Sequence, residues 1–238
     1  MKDNRFRRNQ IYYGDFGQEN NVGSEQKGTR PFVILQNNVG NQFSSTLIVA
    51  PITENKPKSK IDTHVMIRQN DYPLLKDSII LTEQIRTISK ERVISNLIAT
   101  LDDEDTKRLN EALKLSLGLV TIPFSSDKIQ RGDIFLVDLG KGKGSEFKGL
   151  VPVIVVQNNV GNYYSSTLIV APINLNNTKV KLPTHVFLEK SSNLFHPGII
   201  HLEQLRTIDK IRLVSKIGKI PKNTLAKVDQ AISFSLTV

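Results

Sequence analysis

The run from Gln36 to Ile52 occurs a second time, from Gln157 to Ile173, with changes only at Gln42 and Phe43, which become Tyr163 and Tyr164. The correspondence continues on both sides. Thr63-His64-Val65 answers Thr184-His185-Val186, and the segment Glu83 to Ile88 answers Glu203 to Ile208 with a single change, Ile85 to Leu205. An internal repeat sets the folding unit before any other inference. Order and spacing are kept at a period of about 120 residues, too long for a solenoid repeat and the size of a small whole domain. The chain therefore reads as a duplicated domain, residues 1–119 and 131–238, joined by a connector at 120–130. Two such copies in one polypeptide can pack as the subunits of a two-fold homodimer do.

With 238 residues, each half is large enough to bury a modest core of its own. The absence of Cys excludes disulfides and thiolate metal sites, and the four His are spread through the sequence without zinc-ligand spacing. Chemistry without a metal or cofactor is the expectation. No apolar run is long enough to cross a bilayer, and the charged start through Arg8 lacks the apolar stretch of a signal peptide. The cytoplasm is the expected compartment. A net charge of +9 points to a polyanionic partner, and the charge is uneven: 17 Lys and Arg stand against 15 Asp and Glu in residues 1–119, and 15 against 8 in residues 120–238.

Each half opens with short β-rich segments, in the first Ile11–Tyr13, Pro31–Leu35, Leu47–Val49, Val65–Ile67 and Ser78–Leu81. Clusters of Gly, Asn, Ser and Pro separate them, the pattern of a small antiparallel barrel. Each half closes on helical spacing: Leu109, Ala112, Leu113 and Leu117 follow the acidic run Asp102–Asp105, and Leu225, Val228, Ile232 and Leu236 follow Pro221. Acidic residues there favour a helix N-terminus. The connector, fully extended, reaches about 36 Å, enough to join neighbours and too short to let them roam.

The segment Gly23 to Pro31, the pair Gln36-Asn37, the strand Val49 to Thr53, the segment Leu81 to Thr87 and the closing Glu111 to Gly118 together resemble the MazF/PemK toxins of bacterial toxin–antitoxin systems. The resemblance covers essentially all of both halves. It implies a mainly β fold with short helices, two SH3-like barrels of the MazF/PemK/CcdB type forming an intrachain pseudo-dimer. It implies an endoribonuclease, an mRNA interferase that cuts single-stranded RNA at a short sequence without metal. The attacking group in such a cut is the substrate's own 2′-hydroxyl, so the protein need supply only proton transfer and a clamp on the developing phosphorane charge.

By the same resemblance Arg30 is the catalytic Arg, a fixed cation with forked donors suited to a phosphate gaining charge. Thr53 is the catalytic hydroxyl, and Glu25 either takes the 2′-hydroxyl proton or holds Arg30. Gln84, Arg86, Gln204, Arg206 and Lys148 are the expected RNA-binding residues, while His64 and His185 read as structural. An acidic, partly disordered antitoxin is the expected protein partner, with two unequal places to bind and a stoichiometry of one to one.

The copies part company at the chemistry. Val151 stands where the first half has Arg30, Asn174 where it has Thr53, and Phe147 where it has Gln26. The second site is expected to be inactive, its fold retained, and the aromatic gains Phe147, Tyr163 and Tyr164 free to pack or to stack bases. The first half departs in turn, with Arg8-Asn9-Gln10 where the family usually has Arg-Gly-Asp and the second half keeps Arg131-Gly132-Asp133. That departure, with the degenerate copy, leaves two rival readings: a non-catalytic RNA- or partner-binding module of the same fold, and a gyrase-targeting toxin of related fold.

Overall fold

The computed structural model describes residues 5–17, 22–54, 61–74, 76–124, 126, 128–176, 179–190 and 196–238. The chain start through Asn4 and the connector residues Ser125 and Asp127 fall outside these. The β-rich segments of the first half form β1 (Gln10–Asp15), β2 (Thr29–Ile34), β3 (Thr46–Thr53), β4 (His64–Ile67), β5 (Ser78–Leu81), β6 (Arg86–Ser89) and β7 (Ala99–Thr100). Two helices join them, α1 (Asn38–Phe43) and α2 (Asp103–Ser116). The second half repeats the order: β8 (Asp133–Asp138), β9 (Leu150–Val155), α3 (Asn159–Tyr164), β10 (Thr167–Asn174), β11 (His185–Leu188), β12 (Gly198–His201), β13 (Arg206–Asp209), β14 (Leu213–Lys219) and α4 (Lys222–Leu236). The architecture is mainly antiparallel β with four short helices.

Helix α2 starts where the acidic run places it, with Asp102 as N-cap accepting from the Asp105 amide, so the carboxylates sit at the positive end of the helix. Helix α1, inside the repeated run, carries no apolar period. Its single side-chain device is Asn37, which accepts from the Gly40 amide, and short helices of this kind are set by a cap rather than by a buried face.

In each half the sheet curls toward a barrel that stays partly open. After β6 a 3-10 turn at Lys90–Arg92 sends the chain back to β1, where Val93 bridges Gly14 and β7 pairs with Gln10 and Ile11. The second half makes the same return with a longer strand, β14 on β8. The hairpins β4–β5 and β11–β12 branch from the ends of β3 and β10.

The two halves form one object. The strand order β14-β8-β9-β10-β13-β6-β3-β2-β1-β7 is a palindrome of the two copies, and its centre is the antiparallel pairing of Arg206 with Arg86. The Thr87 amide donates to Leu205 O at 2.8 Å and the Thr207 amide to Ile85 O at 2.7 Å, a matched pair about that centre. One hydrophobic cluster runs from Ile11 through Leu113 and Ile134 to Leu236, while smaller clusters around Phe32 and around Val153 belong to one half each. The two copies share their largest core, as obligate dimers do.

The repeated run supplies the clasp. The Asn37 amide of the first half donates to Ser235 O at 2.8 Å and its Nδ2 donates to Phe234 O, so it covers the last carbonyls of α4. Asn158 does the same for Leu115 O and Ser116 O of α2. Arg8 Nε reaches Leu236 O at 2.7 Å, and Arg131 Nε reaches Leu117 O at 3.0 Å. Carbonyls that a helix leaves unsatisfied at its C-terminus are thus met by the opposite half.

Candidate active site and joint

Arg30 lies on β2 and Thr53 at the end of β3. The ladder between these strands ends at Phe32 opposite Pro51. Arg30 and Thr53 lie two positions beyond that end, where Arg30 pairs with Gly14 of β1 and Thr53 with Ile79 of β5. In the second half the ladder likewise ends at Val153 opposite Pro172, with Val151 and Asn174 two positions beyond it. The substitutions at Arg30 and Thr53 thus fall at equivalent places just beyond the same ladder in each half.

The guanidinium of Arg30 is half-buried and held from one side. Nη1 donates to Gln26 Oε1, and Nε and Nη2 donate to Lys27 O, the Nε bond at 3.0 Å. Burial lowers its pKa from the ordinary arginine value. Phe147, the counterpart of Gln26, can accept no such bond; it packs instead against the second half's core and lies 5.1 Å from the ring of His201.

Glu25 stands elsewhere in the arrangement. Its carboxylate is buried and fully engaged with the other half: Oε1 accepts from Arg212 Nε and from the Asp209 amide at 3.0 Å, and Oε2 accepts from Arg212 Nη2 at 3.0 Å. Glu146 repeats the set in mirror order. It accepts from Arg92 Nε at 2.6 Å, Arg92 Nη2 at 3.2 Å and the Ser89 amide at 2.8 Å. Burial pushes the Glu146 carboxyl up, and the bonds from Arg92, Ser89 and Lys143 outweigh it, leaving the pKa below its ordinary value. Gly23, at a φ of +55°, starts the Glu25 loop; a Cβ there would collide with the Asp209 carboxylate, so the residue is fixed by both conformation and space.

Arg86 and Arg206 face each other at the centre of the joint, each only 6% exposed. Burial, with Arg206 close by, lowers Arg86 to about 9, and burial also lowers Arg206. Both guanidiniums are buried in the joint, where Arg206 lines a small pocket with Gln204, Glu146 and Phe147. Gln84 and Gln204 line two grooves that cross it. Gln204 lies in a groove of about 370 Å³ with α1, Pro183 and Phe234. Gln84 lies in one of about 610 Å³ with α3, Ser116 and the connector residue Ile122. Lys148 is exposed on the loop before β9. Phe124 of the connector packs on Tyr163 and Tyr164 at 5.5 and 6.2 Å, so these aromatics already have a partner within the chain.

The departure at Asn9 and Gln10 is compensated locally. Asn9 takes a φ of 69° where Gly132 takes 87°, and both amides donate to the matching carbonyls, Ile34 O and Val155 O, at 2.8 Å. Asn tolerates this region better than other residues with a side chain. Gln10 Oε1 accepts from the Arg7 amide at 2.7 Å, as Asp133 Oδ2 accepts from the Gln130 amide at 2.9 Å.

Residues 7–117 and 130–236 each match the model of the PemK-like, MazF-like toxin of type II toxin–antitoxin system. The chain belongs to this family, twice over. It is 46% identical over 114 residues to Endoribonuclease EndoA of Bacillus subtilis, an alignment covering 48% of this chain and 96% of that one. It is 49% identical over 116 residues to Endoribonuclease MazF of Staphylococcus saprophyticus subsp. saprophyticus, covering 49% and 94%. Among solved structures, an endoribonuclease in complex with its cognate antitoxin from Mycobacterial species aligns with a TM-score of 0.40 at 24% identity, over 46% of this chain and 96% of that one. MazE-MazF (Form-II) from Deinococcus radiodurans aligns with a TM-score of 0.36 at 19% identity, over 45% and 95%. No helix among the described residues is long and apolar enough to cross a membrane.

Proposed function

We propose that this chain is an endoribonuclease toxin with one working active site, in the half spanning 1–119, and a partner half, 131–238, that supplies the rest of the dimer without chemistry. The observation that carries the reading is the paired loss: Arg30 and Thr53 stand just beyond the end of the β2–β3 ladder, and their counterparts Val151 and Asn174 are changed together. The reaction is attack of the substrate's 2′-oxygen on the adjacent phosphorus. An O2′–P bond forms, the P–O5′ bond breaks, and the 2′-hydroxyl proton leaves as another arrives at O5′. No metal is required of this chemistry. Arg30 neutralises the oxygens of the phosphorane and the Thr53 hydroxyl donates to one of them, in a partly buried place where such donors act strongly. Gln26 orients the guanidinium.

Glu25 serves this site indirectly. With both carboxylate oxygens bound to Arg212 and Asp209, it anchors the loop that carries Gln26, and its role is positional. RNA follows the grooves across the joint, with Gln84, Gln204 and Lys148 as contacts, while Arg86 and Arg206 hold the joint and add positive potential from beneath. An acidic antitoxin segment competes for the same surface. Because connector residue Ile122 stands in one groove only, the two places are unequal and one antitoxin binds per chain.

The test is incubation of the parent protein, Arg30→Ala and Thr53→Val with a long single-stranded RNA in EDTA, with mapping of the new ends. Cuts at a short sequence by the parent and not by the variants support the reading. Intact RNA with all three would return the chain to a binding role.

A further inference from the structure

The hairpin β11–β12 and the turn that follows it bring three metal-ligating side chains together. In the hairpin β11–β12 the register sets His185 directly opposite His201, and the 3-10 turn that follows carries Glu203. Glu203 Oε1 lies 3.0 Å from His185 Nε2 and 2.8 Å from His201 Nδ1, and the three ligand atoms all lie within 4.8 Å of one another. We propose that His185, His201 and Glu203 form a zinc site in the second half.

The comparison with the first half is the main argument. There His64 meets Glu83 at 2.9 Å, and the residue opposite His64 is the buried Leu81. The His–Glu pair alone is thus enough to build this corner of the fold. Replacing a buried leucine by an imidazole removes apolar burial and leaves polar atoms to satisfy. His201 Nε2 is buried without a hydrogen-bond partner, as Nδ1 of His64 is in the first half, so what sets the second half apart is the additional ring nitrogen, His201 Nδ1, brought to the carboxylate. A metal-bound imidazole gains far more than one hydrogen bond.

The donor set and its surroundings fit the ion. Two imidazole nitrogens and one carboxylate oxygen are a familiar protein complement for zinc, leaving a fourth position for water. Bonds of about 2.0–2.2 Å place tetrahedral ligand atoms roughly 3.3 Å apart, so the two contacts to Glu203 open by a few tenths of an ångström while the two ring nitrogens, within 4.8 Å, come to that same separation. Thr184 Oγ1 donates to Glu203 Oε2 at 2.8 Å and orients the carboxylate from outside, as outer partners of metal ligands do. The Phe147 ring stands 5.1 Å from His201 and shields that side. Phe147 and His201 both replace residues of the competent half, Gln26 and Leu81, so the metal occupies a half released from chemistry. Its role is to fasten the β11–β12 hairpin to the turn before β13, beside the joint. This is compatible with metal-free cleavage at Arg30.

The experiment uses the tag-free full chain, stripped of metal by dialysis, titrated with Co²⁺ as a spectroscopic probe and then with Zn²⁺. One equivalent of cobalt per chain giving the visible bands of a four-coordinate N/O site, displaced by zinc, is the expected result. Zinc at a hundredfold excess over its Kd should raise the melting temperature by about 5–10 °C. His201→Leu installs the residue that the first half carries and should fold. It should lose more affinity than the roughly 10–100-fold that removal of an outer partner costs, and Thr184→Val should lose within that range. Glu203→Gln provides a second ligand variant, checked for folding by circular dichroism. A parent chain that takes up no cobalt, or a folded His201→Leu that binds it as the parent does, would overturn the assignment.

Discussion

The joint and the β2–β3 edge differ in how the two halves treat them. At the joint each contact is made twice: Glu25 with Arg212 and Glu146 with Arg92, Asn37 on α4 and Asn158 on α2, Arg8 and Arg131 on the helix ends. At the edge Arg30 and Thr53 have no equals in Val151 and Asn174. The contrast separates two requirements of a dimer fused into one chain. Each half must still hold the other, so both sides of the joint stay intact, whereas one set of donors is enough to cut one phosphate.

The largest expected effect breaks the edge. Arg30→Ala should lower RNA cleavage by about 10²–10³-fold or more, the range for removing a single oxyanion donor, without loss of folding. Val151→Arg with Asn174→Thr should not create a second site by itself, because Phe147 cannot take the place of Gln26 as acceptor for the guanidinium. Adding Phe147→Gln is the sharper form of the test. End mapping with Arg30→Ala as background measures any activity gained.

The second prediction sets the halves against each other at the joint. Glu25→Ala and Glu146→Ala each leave a buried guanidinium unpaired, and each should cost about 3–5 kcal/mol in stability. If Glu25 were the general base, its loss would abolish cutting while Glu146→Ala, in the second half, would not; the joint reading expects the two variants to lose activity in parallel with folding. Urea unfolding and cleavage measured on the same samples separate these outcomes. Acid probes the same bonds. Since the folded Glu146 pKa lies below its ordinary value of 4.5, its contribution is complete above that value and declines as the pH falls through the lower, folded one. The slope of stability against pH below 4.5 should therefore flatten in Glu146→Gln.

Much of this was legible in the residues. The repeat announced the palindromic sheet, the β-rich segments became β1 to β5 within two residues except at the end of β3, which runs four residues further to Thr53, and Asp102 marked the start of α2. The joint was not legible, because Glu25, Arg86 and Arg206 look like surface charges until a second copy covers them. Polar residues at such a seam carry no apolar period to mark them as buried. Helix α1 was missed for a related reason: it depends on the Asn37 cap and on contacts with α4, and neither leaves a helical pattern in a six-residue segment. The meeting of His185 with His201 depends on strand register, which spacing along the chain does not reveal.

The clasps give a smaller effect and a check on symmetry. Asn37→Ala and Asn158→Ala each remove bonds to the terminal carbonyls of the opposite half's helix, at a cost of about 1 kcal/mol. For a chain of this size that is a fall of about 2–4 °C in melting temperature. Equal falls support a joint balanced about Arg86 and Arg206. A much larger fall for Asn158 would instead assign the connector, which runs beside α3, a share of the clasp.

The smallest effect tests whether the first half's Asn9 matters at all. At a φ of 69° an asparagine carries a modest strain that glycine lacks, and the Asn9 amide already makes the bond to Ile34 O that Gly132 makes to Val155 O. Asn9→Gly should therefore shift stability by less than about 0.5 kcal/mol, with relief of strain set against the greater freedom of the unfolded chain. RNA cleavage should stay at the parent level, because the loop that holds Arg30 through Gln26 is anchored by Glu25 and Arg212 rather than by this turn. A rise in cleavage of tenfold or more would show that the turn governs the active edge, and would move the asymmetry between the halves from the side chains of β2 and β3 to the backbone beneath them.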